Sequence, residues 1–161
     1  MSTKKVFAKV TEEQLFCESK VSYSFKVKPA ERIKIGCSND SYSAFYGSWD
    51  KGNIELFETF KAMYLNRANE VLCIQTMSTG GVAACLVDTK LIFLTAVLCV
   101  ASSIIVCHNH PSNNLKPSAS DIDLTKRLAK GAELLDMKLL DSLIVTNSGY
   151  LSFADECILS F

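Results

Sequence analysis

The chain has only two histidines, His108 and His110, and both fall in the stretch CHNHPSNNLKPSASD, Cys107–Asp121. In a helix, residues i and i+2 point roughly 200° apart, whereas in an extended chain they share a face. The apolar run before the pair and Pro111 after it both favour extension, because a residue preceding proline is pushed out of the α region. Two imidazoles on one face at the end of a buried strand can reach a single cation at about 2.1 Å. Cys107 then points to the opposite face, which argues against it as a ligand. Asp121 follows His110 after ten further residues. It falls in the first turn of a helix opening at Pro117-Ser118-Ala119-Ser120, from which a short loop can fold it back onto the histidines.

Two His and one Asp leave a fourth coordination position for water, the composition of a catalytic zinc site and not of a closed structural one. Water on such an ion ionises near neutrality, and a nearby carboxylate is then wanted as general base. Glu55, Glu58 and Glu70 are the upstream candidates. Glu58 opens the apolar strand TFKAMYLN and projects from its end, while Glu70 begins the return strand after a turn, a common place for a solvated charge. The bland alternative is two structurally satisfied imidazoles, with Ser118-x-x-Asp121 a capping box that closes a helix N-terminus. Capping and ligation are compatible, and an aspartate at a helix start behind a His-x-His pair favours metal.

These residues need a sheet and helices to hold them. Residues 103–107 are too short for anything but a buried strand. The pattern predicts a half-buried strand over 21–28, VSYSFKVK, by its period-two alternation. It predicts a helix in SNDSYSAFYGSWDKG, with Tyr42, Phe45, Tyr46 and Trp49 on one core-facing side. Residues 54–66 begin as helix or strand and end as strand, turn at Asn66–Asn69, and return over 70–77 as a hairpin partner. Ser78–Gly81 reads as a flexible loop. Thr89–Ser102 reads as a mostly buried helix with Asp88 as N-cap. Asp121–Leu135 reads as an amphipathic helix with Ile122, Thr125, Leu128, Ala132 and Leu135 inward. SLIVT and YLSF form a second hairpin across Asn147–Gly149. Interspersed strands and helices predict an α/β (α+β) fold, a mixed sheet covered by helices. A leader over 1–50 precedes the metal-binding domain over 51–161.

Bulk properties agree with one globular domain. Of 161 residues, 48% are hydrophobic and 21% charged, outside the disordered range. No apolar run approaches the ~18 residues of a membrane span, and the N-terminus lacks the apolar core of a secretory signal. The seven cysteines, at 17, 37, 73, 85, 99, 107 and 157, mostly lie within apolar runs. They read as small buried hydrophobes with reduced thiols, which implies a cytoplasmic location. Residues 1–34 carry eight Lys/Arg against four Glu, so the remaining residues carry nine against thirteen acids, a net of −4. Phosphate-gripping surfaces need the opposite sign, so direct DNA binding is not expected.

The pattern His108-x-His110-x7-Ser118-x2-Asp121 resembles the JAMM signature of the JAB/MPN metalloprotease superfamily. The longer strings HNHPSNNLKPSASDIDLTKRL and LLDSLIVTNSGYLSFADE closely resemble its RadC-like (UPF0758) branch, from about Ile54 to the C-terminus. The resemblance implies an MPN-like mixed sheet flanked by helices, layered as in cytidine deaminases. It also implies His108, His110 and Asp121 as Zn2+ ligands. Ser118 matches the serine that hydrogen-bonds the developing oxyanion or the zinc-bound water, and Glu58 the glutamate that deprotonates that water, with Glu55 as fallback. Amide or isopeptide hydrolysis of a peptide or protein substrate follows. The alternative the resemblance carries is a DNA-repair or mobile-element accessory protein with a weakly active or structural metal. A third is a pure interaction domain, which the intact triad argues against. The N-terminal helix-hairpin-helix module of longer members is expected to be absent. Three positions depart from the family: Asn113 replaces a glycine, Ser142 replaces the histidine of LLDH, and Cys157 replaces the glycine of ADEGLL.

Overall fold

The computed structural model describes residues 28–80 and 86–159; the strand expected over 21–28 lies almost wholly outside them. After a 3-10 turn at Pro29–Glu31 come α1 (Ser38–Gly47), β1 (Thr59–Leu65), β2 (Val71–Thr79), α2 (Thr89–Leu98), β3 (Ser103–Asn109), α3 (Ala119–Leu134), β4 (Lys138–Thr146) and β5 (Gly149–Ser152). The five strands form one mixed sheet in the order β2-β1-β3-β4-β5, antiparallel except for the β3–β4 pair. This is the expected α/β architecture, with α3 as the crossover that a parallel pair requires.

Period-two alternation divides the side chains of the central strands between two cores. Phe60, Ala62, Tyr64, Ile104 and Val106 pack with Ile92 and Ala96 of α2 and Leu128 and Ala132 of α3. Met63, Leu65, Ile105, Cys107, Leu143 and Val145 face the other way, against Phe45 of α1, Trp49 and Ile54. α1 docks on the sheet as predicted through Phe45, fully buried, and Tyr42, which stacks on Tyr150 with ring centroids 4.6 Å apart. Trp49, expected on the same helix face, instead lies past the end of α1 and is buried from the turn that follows. Lys61 is an unexpected member of this side. Its ammonium donates to the Ser48 carbonyl (2.7 Å) and approaches the Ser48 hydroxyl (3.1 Å). Burial pulls its pKa down.

Several sequence expectations need correction. α2 ends at Leu98, not Ser102, and is not mostly buried: Leu91, Leu94 and Val97 are exposed. Its apolar residues surround the whole helix, so composition could not tell the inward side from the outward one. Asp88 is the N-cap, accepting from the Lys90 amide at 3.0 Å. The helix closes with the Ala101 amide on the Ala96 carbonyl and the Val100 amide on the Val97 carbonyl. That paired C-terminal closure puts the next residue in the left-handed region, and Val100 takes it at φ 53°. Ser78 and Thr79, expected in a loop, extend β2 by pairing with Phe60 and Thr59. The segment before β1 is turn, neither helix nor strand. α3 begins at Ala119, and Leu135, placed inward by the pattern, is its half-exposed C-cap. α3 also crosses α2 closely at Gly131, where a Cβ would lie 2.5 Å from the Phe93 ring.

The cysteine expectation holds only in part. Cys99 and Cys107 are buried and Cys73 is half-buried, but Cys37 and Cys157 are exposed; all five are free thiols. Cys17 and Cys85 lie outside the described residues. Among the described residues, no helix is long and apolar enough to cross a membrane.

Candidate metal centre

β3 is buried along its whole length and delivers His108 on the side that faces α3, in line with Ile104 and Val106. The chain stays extended past the strand end, since the His110 amide donates to the Val145 carbonyl of β4 (3.0 Å). His110 therefore faces the same way as His108. Their Nε2 atoms lie 3.0 Å apart. Cys107 points into the opposite core, as the alternation requires.

Asp121 comes from the first turn of α3. Its Oδ2 accepts from the Ser118 amide at 2.7 Å while the Asp121 amide donates to Ser118 Oγ at 3.2 Å, a complete capping box. The same carboxylate faces the histidines, with Oδ1 3.5 Å from His108 Nε2 and Oδ2 3.7 Å from His110 Nε2. The capping geometry leaves the same carboxylate turned to the histidines, because the cap fixes the rotamer that aims it. One ligand atom from each of His108, His110 and Asp121 lies within 4.8 Å of the others.

The protonation pattern suits a cation. His110 Nδ1 lies 2.6 Å from the Asn114 carbonyl, and a carbonyl only accepts, so Nδ1 carries the hydrogen. The neutral ring then presents a bare Nε2 lone pair to the centre, the tautomer that such a backbone partner imposes on ligating histidines. The Asp121 carboxylate raises the His110 pKa against the lowering effect of burial. Burial pushes the Asp121 carboxyl up, but hydrogen bonding and charge from the two imidazoles, with Ser118, outweigh it and hold it far below the usual carboxylate range. Three donor groups polarised towards one point fit a divalent ion with His2Asp ligation.

Glu58 lines the same cleft, of about 480 Å³, together with the three donors. Glu55 does not: it accepts from the Asn147 side chain at 3.1 Å. Glu70 is farther along the sheet edge, bonded to Asn66 and paired with Arg32. Ser118 also lines the cleft, its Oγ 2.8 Å from Ser120 Oγ. Because that oxygen accepts from the Asp121 amide, its hydrogen is left to donate to Ser120 or into the cleft.

Sequence reasoning missed Asn109. Fully buried between the two histidines, it points away from them and ties down the segment that carries Glu58. Its Nδ2 donates to the Ile54 carbonyl (2.6 Å) and the Phe57 carbonyl (2.7 Å), and its Oδ1 accepts from the Thr59 amide (2.7 Å). The Glu58 carbonyl in turn accepts from Gly80 (2.8 Å). A polar residue amid an otherwise apolar strand was the available signal.

The three departures from the family pattern have physical readings. Asn113 is in the left-handed region at φ 61°, which Asn tolerates better than most residues, and its side-chain amide bonds Ser148 across the β4–β5 turn. Ser142 is buried in the cleft wall, 3.2 Å from Thr125 Oγ1, so the change alters the cleft and not the triad. Cys157 has φ 50°, which explains why a glycine suits that position.

A family model described as RadC-like JAB domain matches residues 36–158. A UPF0758 protein of Flavobacterium johnsoniae is 43% identical over 101 residues, covering 63% of this chain and 44% of that protein. One from Geobacillus kaustophilus is 38% identical over 127 residues, 79% of this chain and 55% of the relative. One from Methanosarcina mazei is 33% identical over 123 residues, 76% and 52% respectively. The chain spans about half the length of these relatives. With the sheet order, the His-x-His strand end and the capped aspartate already in place, a match over that much of the sequence leaves one assignment: the chain belongs to the RadC-like JAB domain family, the UPF0758 branch of the JAB/MPN superfamily.

Proposed function

We propose that the chain is a zinc-dependent hydrolase of amide bonds, acting on a peptide or isopeptide, with His108, His110 and Asp121 as metal ligands and Glu58 as general base. The observation that carries this reading is the convergence of three donor groups, one with its tautomer fixed by a backbone carbonyl, in a cleft that also holds a carboxylate outside the donor set. A divalent ion bound there supplies Lewis acidity towards a carbonyl oxygen and lowers the pKa of water.

The chain's own residues do the rest. The Asn114 carbonyl keeps the His110 imidazole oriented through Nδ1. Glu58, held by the Asn109 anchor, takes a proton from the attacking water and returns it to the leaving amine, a role that general bases fill with gains of about 10²–10⁴. The Ser118 hydroxyl donates towards the oxygen on which negative charge develops. Phe60, its ring parallel to that of His108, walls the site and limits water.

Glu58→Gln tests the assignment. Zinc content should stay at the wild-type level while cleavage of a peptide library, read by mass spectrometry, falls at least 100-fold. Unchanged cleavage in that variant would remove Glu58 from the chemistry.

A further inference from the structure

We infer that Arg127 is the anchor for a substrate carboxylate, making the cleft a site for a peptide C-terminus from which one residue is removed. The inference rests on the hydrolase reading and adds the substrate class.

Arg127 lines the same cleft as Glu58 and the three donors. It lies six positions after Asp121 on α3, about 9 Å along the axis at 1.5 Å per residue. Helical side chains lean back towards the N-terminus, and this one does so: its Nε is 3.4 Å from Asp123, one turn earlier. Asp123 points about 200° round the helix from Asp121, so the guanidinium turns in to a ligand in the cleft by leaving this pair. An extended residue spans about 3.4 Å, and a carboxylate one residue beyond a bond at the triad is the group that the turned-in guanidinium would meet.

The charge pattern fits. Glu58 and Asp121 stand at the chemical end, and Arg127 is the sole lysine or arginine among the described residues lining the cleft. Asp123 is its one ion-pair partner among the described residues. Both side chains are largely exposed, at 61% and 72%, and such a pair is worth little. The terminal nitrogens of an arginine form a fork that matches a carboxylate. Phe60, Leu86, Val87 and Leu124 give the cleft an apolar share of wall beside its serines and threonine, which suits an apolar terminal side chain. The volume, about 480 Å³, suits a ligand of dipeptide size.

The test is calorimetric titration of zinc-loaded full-length protein carrying Glu58→Gln, which prevents turnover, with acetyl-Ala-Phe and with its C-terminal amide. The acid should bind roughly 10- to 100-fold more tightly than the amide, the worth of a charge-assisted hydrogen bond. Adding Arg127→Gln should erase that preference, and Arg127→Lys should restore part of it. Equal affinity for acid and amide, no binding of either at millimolar concentration, or a preference that survives Arg127→Gln would each overturn the proposal. Its failure is separable from failure of the hydrolase reading. Internal cleavage of longer peptides, abolished by Glu58→Gln, would uphold the hydrolase and overturn the C-terminal anchor. An acid preference that depends on Arg127, without any cleavage by wild-type protein, would uphold the anchor and defeat the hydrolase.

Discussion

Asn109→Ala should damage stability and chemistry together while sparing the metal. The side chain makes three hydrogen bonds, to the carbonyls of Ile54 and Phe57 and from the amide of Thr59. Alanine leaves all three backbone groups without that partner. A buried polar group left unpaired costs about 1–3 kcal/mol. The first bond is wholly buried and the other two partly so, hence the last two groups recover some hydration. A loss of about 3–5 kcal/mol follows, which for a chain this size lowers the melting temperature by roughly 6–20 °C. The segment released is the one that carries Glu58, so turnover should also fall by about 10²-fold, the penalty expected for a misplaced catalytic group. The donor set is held separately, by the β3–β4 pairing and the Ser118 cap, so zinc content should not change. Thermal melting, steady-state cleavage and elemental analysis of one preparation read all three. A melting change under about 3 °C, or zinc lost in step with activity, would refute the assignment of Asn109 as the anchor of Glu58.

Two further perturbations probe the frame around the site. Asp141 is buried, and burial raises its pKa against hydrogen bonds from Ser152, Ala154 and Ser142 that lower it. Its contribution to stability is therefore whole below the unfolded value near 4 and is lost as pH rises through the raised native value. Asn can accept from Ser142 and Ala154 and donate to the Ser152 hydroxyl, so Asp141→Asn should gain melting temperature over wild type, and by more at pH 7 than at pH 4; the opposite trend would contradict the account. Val100 and Cys157 hold left-handed backbone at φ 53° and 50°, a conformation costing a residue with a Cβ about 1–2 kcal/mol. After the extra chain entropy of glycine, Val100→Gly and Cys157→Gly should each stabilise by about 0.5–1 kcal/mol in denaturant melts, whereas Val100→Ala should not.

How far the sequence revealed this molecule follows from which features are local. His108, His110 and Asp121 were legible because strand alternation, Pro111 and the Ser118 cap each act within a few residues. The aromatic side of α1 and the two hairpins were legible for the same reason. The end of α2 was not: its closure uses valine where a glycine would have announced the stop. Nor was its exposed side, because Leu91, Leu94 and Val97 are as apolar as the buried Ile92 and Ala96. Placing Cys37 and Cys157 inside failed because residue type does not reveal which face a loop or cap presents. Asn109 was missed because its partners lie some 50 residues away, and only the β1–β3 pairing brings them together. Glu58 was distinguishable from Glu55 only once the turn before β1 was seen to direct one into the cleft and the other to Asn147.

The central claim is that the donor set binds a metal ion, and elemental analysis of purified wild-type, His108→Ala and Asp121→Ala proteins tests it most directly. The account predicts about one zinc per wild-type chain and loss of bound zinc in both variants, with melting of each variant still cooperative. Wild-type protein that takes up no zinc on addition of the ion, or variants that keep full occupancy, would contradict it.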